Sequence, residues 1–289
     1  MMKCVFVVAF ASTLILAVST SVRSVNDIRT ELARTNYFEF QGRIINGQNA
    51  ALGQFPYYVR ITIYDVSVLI GWCGGTILRA NWILTACHCV RGTSSTYTAF
   101  YIEAGSVTRN QPSQQASVVP PLLGAVYPHP GYNPATLMYD IGLIKTPGSF
   151  NLNGPNVKSI PLPLSSYSVA LTYANQIATV CGFGLTANEG NTSPTLRYTT
   201  LKIITFDTCR GIYGTEPIPS TSFCGVDDTP PISAVCSGDS GGPIVLTINS
   251  VLTVIGVVSY ASDLGCDAKP QGFTDILQFL TWINPIIGT

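Results

Sequence analysis

The sequence predicts an all-β protein built as one or two closed barrels. Three observations carry this. Short runs rich in β-branched and aromatic residues, such as YYVRITIY (57–64), TAFYIEAG (98–105), IATVCGFG (177–184) and VLTVIGVVSY (251–260), alternate with Gly/Pro/Asn turns. No window of 11 to 18 residues has a helical period until the end of the chain. There, DILQFLTWI (275–283) puts Ile276, Phe279, Leu280 and Ile283 on one face, which predicts one short C-terminal helix. Many short strands without open edges suit barrels.

The chain is long enough, at 289 residues, to bury a substantial core. With 46% hydrophobic and only 10% charged residues, it has the composition of a folded domain. Its net charge is zero and it has no Lys/Arg run, which argues against a nucleic-acid groove or an anionic membrane as partner. Residues 1–19 read as a secretory signal: Lys3, then the apolar run CVFVVAFASTLILAV, then small residues. The run is shorter than the ~20 residues of a membrane span, so the mature protein is expected to be secreted, extracellular and free of the membrane. Residues 20–43 differ in character from the rest of the chain; they hold seven of the thirty Lys, Arg, Asp and Glu residues and no cysteine. They end at Arg43, a candidate cleavage point before Ile44 and Ile45. No internal repeat or low-complexity tract is present. Nine cysteines fit an oxidising compartment; Cys4 leaves with the signal, and eight remain.

CSGDSGGP (236–243) surrounds one serine with very small residues. It fits the G-x-S-x-G pattern found around nucleophilic serines. A serine hydroxyl needs a base to take its proton, most often histidine, and the chain has only two, His88 and His129. No histidine follows Ser240, which rules out the serine–acid–histidine order of α/β-hydrolases. The order histidine, aspartate, serine remains, with His88 in LTACHCV, Asp140 in MYDIGLIK and Ser240. His129, between prolines in YPHPGY, reads as structural.

RIINGQNA, GGTIL, LTACHC, YDIGLIK, CGFG, CSGDSGGP and VVSY follow one another in the order and spacing of the chymotrypsin/trypsin-like serine peptidases. From residue 44 to about 285 the chain resembles an arthropod chymotrypsin-like or brachyurin-like member of that family. The resemblance implies two six-stranded antiparallel β-barrels with the active site between them, and a peptidase domain over residues 44–289. It implies Ser240 as nucleophile, His88 as base and Asp140 as orienter of the imidazole, with the oxyanion hole formed by the backbone N–H groups of Gly238 and Ser240. Ser259 matches the family residue beside the buried aspartate. It also makes residues 20–43 an activation propeptide. A trypsin-like protease would cut after Arg43, and the freed Ile44 amine would pair with Asp239, a carboxylate otherwise costly to bury.

The resemblance puts the base of the substrate pocket at Ala234, followed by Val235, with Ser259, Tyr260 and Ala261 as a wall and Gln271 near the floor. No charge stands there, so cleavage after Arg or Lys is not expected, and neutral, mainly apolar residues are. Ala261 and Gln271 replace two glycines usual in a deep pocket, and Asp263 lies close to the rim. Three disulfides are implied: Cys73–Cys89, Cys209–Cys224 and Cys236–Cys266. Cys87 and Cys181 are left as a fourth bridge or as two buried thiols. Adjacent residues of CHC cannot easily converge on one tetrahedral ion, and an oxidised compartment favours bridges. From Ala104 to Tyr139 there is no Asp or Glu, so a calcium loop is not expected there. Asn191, in NTS, is the one N-x-[ST] sequon.

Together these imply a secreted zymogen of a serine endopeptidase, monomeric and needing no cofactor. Its partners would be protein and peptide substrates, its activator and protein inhibitors. Digestion is the expected role, because no recognition domain precedes the catalytic unit. The alternatives are a catalytically inactive homologue acting as a binding or signalling module, and a specialised salivary, venom or immune-cascade peptidase.

Overall fold

The structure, a computed structural model, describes residues 44–92, 96–119, 122–167, 173–188 and 191–288. The predicted signal and propeptide, with Arg43, lie outside the described residues. Fourteen strands are described: β1 (Gln48–Asn49), β2 (Tyr58–Asp65), β3 (Val68–Arg79), β4 (Trp82–Thr85), β5 (Ala99–Ala104), β6 (Gln114–Val118), β7 (Val126–Pro128), β8 (Gly142–Lys145), β9 (Ile177–Gly182), β10 (Arg197–Ile204), β11 (Ser222–Val226), β12 (Pro243–Ile248), β13 (Val251–Tyr260) and β14 (Gln271–Asp275). Two short helices accompany them, α1 (Phe206–Tyr213) and α2 (Leu280–Ile287).

The all-β prediction holds. The strands form two antiparallel sheets, each from one half of the chain apart from β1. The second runs β1-β10-β11-β14-β13-β12-β9, and β9 also pairs with β10, which closes six strands into a barrel. β1 pairs with the start of β10, at Arg197 and Tyr198, and β11 with its end, from Lys202 to Ile204. The first sheet runs β6-β5-β2-β3-β4-β8-β7 and curves as a half-barrel, with no closing pair among the described residues. Pro128 ends β7, at one edge of that sheet. A proline has no N–H to donate to a closing ladder.

Strand periodicity builds the two cores. On β2, Val59, Ile61 and Ile63 alternate inward and are fully buried, packing with Ile77, Ile83, Phe100 and Leu143. In the second barrel Val180, Leu201, Phe223, Ile244, Ile255 and Phe273 fill the interior. Burying each such side chain stabilises by about 1.5–3 kcal/mol.

The C-terminal helix stands where the sequence predicts it. Asp275 caps it, its side chain accepting from the Leu277 N–H, and its first turn, Ile276–Phe279, is a 3₁₀ helix. Ile276, Phe279, Leu280 and Ile283 are all buried, and they pack into the apolar cluster of the first sheet. Helix α1 is not predicted by the sequence. At eight residues it is shorter than the window that a helical period needs. Thr205 caps it through the Thr208 N–H, and the Cys209–Cys224 bridge fastens it to β11.

The three expected disulfides are present. Cys87 and Cys181 are free and buried, which decides between the two readings of that pair. Burial pushes both thiols well above their ordinary range, so they stay protonated and unreactive. A thiol-alkylating reagent should therefore leave Cys87 and Cys181 unmodified in the native protein. It should label both after unfolding without reductant; mass spectrometry of the peptides reads the difference, and an unlabelled pair would mean a bridge.

Candidate active site

A fully buried carboxylate organises the site. Asp140 precedes β8 and is inaccessible to solvent. Its Oδ2 lies 2.7 Å from His88 Nδ1 and accepts from Ser259 Oγ at 2.6 Å, while Oδ1 accepts from the His88 backbone N–H at 2.9 Å. Its own carbonyl accepts from Thr274 Oγ1 at 2.8 Å. A carboxylate only accepts, so the proton of the imidazole belongs on Nδ1 and the lone pair on Nε2. This is the tautomer of a general base.

The two residues come from neighbouring places in the first sheet. β4 pairs with β8. A 3₁₀ turn, Cys87–Cys89, begins two residues after β4 ends and carries His88, and Asp140 lies two residues before β8. The Cys73–Cys89 bridge ties that turn to β3. Ser259 and Thr274 come from β13 and β14, so both sheets hold Asp140.

Ser240 stands in a turn that touches both halves. Its carbonyl accepts from the Gly74 N–H of β3 at 2.7 Å, and the next N–H, of Gly241, donates to Val258 of β13 at 2.8 Å. Gly241 has φ +77°, and a Cβ there would sit 2.1 Å from Thr85 Oγ1 and 3.1 Å from the Ala86 nitrogen. Only glycine allows this approach, which brings the Ser240 turn against the segment leading into His88. Ser240 is half-buried. Among the described residues, no protein acceptor takes the N–H of Gly238 or of Ser240.

Asp239 is a second buried carboxylate. Oδ1 accepts from the Gly184 N–H at 2.8 Å and Oδ2 from the Cys236 N–H at 3.0 Å. Burial pushes its pKa up to about 7, against the pull of those two bonds. No Lys, Arg or His side chain of the described residues pairs with it. The glycines of CGFG make its notch: a Cβ on Gly182 would meet Oδ1 at 2.0 Å, and one on Gly184 would meet Oδ2 at 2.4 Å. The sequence alone gives this motif a place in the family pattern and no task. Nearby, Ile44 is 1% exposed within the second core, in the same cluster as Val235. Ile45 donates to the Ala234 carbonyl at 2.8 Å and accepts from its N–H at 3.3 Å.

The residues expected around a substrate pocket divide. Ala234 and Ala261 belong to one small cluster with the bridged Cys236 and Cys266. Gln271 is 2% exposed, its Nε2 donating to the carbonyls of Cys266 and Lys269 at 3.3 and 3.1 Å. Val235 instead packs in the second barrel, and Ser259 is engaged with Asp140. The Tyr260 ring packs edge-on against Tyr213, and its hydroxyl lies 3.1 Å from Ser222 Oγ.

The sulfurs of Cys73 and Cys89 and a nitrogen of His88 lie within 4.8 Å of one another, a separation that would suit a metal. Those sulfurs are joined as a disulfide and are not available as thiolate ligands. Asn191 is exposed. Among the described residues no helix is long and apolar enough to cross a membrane.

Comparison with known proteins identifies the family. The model of the Trypsin family matches residues 44–283. A collagenase of Hypoderma lineatum is 34% identical over 86% of this chain and 88% of its own length. A chymotrypsin-like elastase family member 1 of Canis lupus familiaris is 28% identical over 87% of this chain and 95% of its own. The solved structure of HL collagenase superposes with a TM-score of 0.73 at 32% identity, covering 85% of this chain and 99% of that one. With the matched model spanning nearly all of the described chain, this protein belongs to the trypsin family and is a chymotrypsin-like serine endopeptidase.

Proposed function

We propose that the chain is the secreted zymogen of an endopeptidase that cuts proteins after neutral, mainly apolar residues, with Ser240, His88 and Asp140 as its catalytic residues. The observation that carries this is the buried Asp140 carboxylate bonded at once to His88 Nδ1, the His88 N–H and Ser259 Oγ. Ser240 Oγ attacks the scissile carbonyl carbon as His88 Nε2 takes its proton. The N–H groups of Gly238 and Ser240 receive the developing oxyanion; one such donor contributes about 3 kcal/mol to the transition state. His88 then protonates the departing amine, leaving an acyl-serine. Water, deprotonated by His88, releases the acid and restores the hydroxyl. Asp140 stays ionised throughout and stabilises the imidazolium.

Activation follows from the second carboxylate. Cleavage after Arg43 would free the Ile44 amine, and Asp239 is a buried carboxyl group, pushed by desolvation towards its neutral form, whose anion a cation there would stabilise. An ion pair there would be worth more than at the surface, since both charges are withdrawn from water. The burial of Ile44 and the pairing of Ile45 with Ala234 support an inserted amino end. They also connect it to Ala234, the proposed pocket base. The pocket residues Ala234, Ala261 and Gln271 are neutral. That supports a preference for neutral side chains, in keeping with relatives named collagenase and elastase. The disulfides support an extracellular place of work, and a digestive role fits broad cleavage of this kind.

Ser240→Ala should lower hydrolysis by roughly 10⁴-fold or more without loss of the fold, and should abolish labelling by an organophosphate. Retained turnover would mean another nucleophile; a wild-type enzyme that stays unlabelled after tryptic activation would favour an inactive homologue. On a peptide library the activated enzyme should turn over bonds after Arg and Lys weakly, and a strong basic preference would refute the pocket assignment. Asp239→Asn should still be cut after Arg43 yet gain no activity; full activation of that variant would remove the ion pair from the scheme.

A further inference from the structure

His129 reads from sequence as a structural loop residue, and the structure gives it a closer connection to the site. Asp140 is the centre of a tight turn in which the Ile141 N–H donates to the Tyr139 carbonyl at 2.8 Å. Tyr139 has φ +59°, the left-handed region that non-glycine residues avoid. His129 grips both sides of this turn. Its backbone N–H donates to the Ile141 carbonyl at 3.1 Å. Its ring stacks on the Tyr139 ring, centroids 5.1 Å apart and planes 5° from parallel.

The imidazole is itself held. Nδ1 accepts from the Gly131 N–H at 3.1 Å, and prolines 128 and 130 stiffen the backbone on either side. Phe279, at the end of the 3₁₀ turn before α2, meets the ring edge-on at 5.2 Å, and Trp282 of α2 meets it at 5.0 Å. Phe279 also packs edge-on against Tyr139 at 6.1 Å. Tyr139 is exposed and uses a conformation disfavoured for its residue type, so its own burial does not account for its placement. Stacking against an anchored ring does.

We infer that His129 is a positioning residue for the reaction: clamped by Phe279 and Trp282, it holds Tyr139 in the left-handed conformation that aims the Asp140 carboxylate at His88. The C-terminal helix thereby takes part in setting the catalytic geometry. This rests on the catalytic role of Asp140 proposed above. The clamp acts on orientation and not on substrate binding, so it affects kcat and leaves KM alone.

The test uses activated full-length enzyme, with concentrations set by active-site titration. His129→Leu keeps side-chain bulk but removes the flat ring, and should lower kcat about tenfold, a change of about 1.4 kcal/mol in the barrier, with KM within about twofold. His129→Phe, which keeps a ring to stack, should retain most of kcat. The decisive variant joins His129→Leu with Tyr139→Asn. Asparagine is at ease in the left-handed region, so the double variant should recover kcat without the clamp. Wild-type kcat in His129→Leu would overturn the inference, as would a double variant no faster than His129→Leu alone. If His129→Leu does not fold, the comparison is made in the Tyr139→Asn background, where the same change should be silent; a loss of kcat there overturns the clamp. Asp140→Asn separates the two readings. If that variant keeps full activity, the catalytic assignment fails; if it is inactive while His129→Leu is unaffected, only the clamp fails.

Discussion

The contact between Asp140 and His88 is the constraint on which the rest depends. A carboxylate wholly removed from water is costly unless its lone pairs are used. Here two N–H groups of His88 and the hydroxyl of Ser259 use them, and they come from different halves of the fold. The two sheets are therefore coupled at the place where the chemistry is proposed. Separating them would take the Ser259 hydroxyl from the Asp140 carboxylate. The fold and the site are stabilised by the same hydrogen bonds, and the direction of the imidazole lone pair is their consequence.

The two buried aspartates differ in how they are satisfied. Asp140 meets a ring N–H, a backbone N–H and a hydroxyl. Among the described residues Asp239 meets two backbone N–H groups and no cation, and burial drives it towards its neutral form. The first carboxylate has its lone pairs engaged from both halves of the fold; the second has no cation beside it among the described residues. That asymmetry suits the separate roles proposed for them, orientation of His88 for Asp140 and pairing with the Ile44 amine for Asp239. Close packing fixes the place of Asp239, because a Cβ on Gly182 or Gly184 would clash with its carboxylate.

Apolar packing reaches the site by a less direct route. Helix α2 and the turn before it bury Ile276, Phe279, Leu280 and Ile283 in the core of the first sheet, although they follow the second in the chain. The same segment presents Phe279 and Trp282 to His129. A helix that looks like a simple end-cap thus fastens one half of the molecule to the other beside Asp140. Cys73–Cys89 ties the His88 turn to β3.

Much of this is legible in the residues. The β-rich runs that become β2 and β13, the amphipathic face of 275–283 and the order His88, Asp140, Ser240 are local or ordinal properties, and a linear text carries them. The family pattern of cysteines likewise names three bridges that the fold makes. Other features depend on what meets across space. Helix α1 is too short for its period to be seen and relies on a cap and a disulfide. The open seam of the first sheet, the unbridged state of Cys87 and Cys181, the notch made by CGFG and the stacking of His129 on Tyr139 each depend on positions whose types say nothing of one another. Residue type and spacing determined that this chain would fold into β-sheets and carry a histidine, an aspartate and a serine in the order of the family. Tertiary structure decided which carboxylate is satisfied and which is left wanting, because burial and hydrogen-bond partners exist only once the two halves have closed on each other.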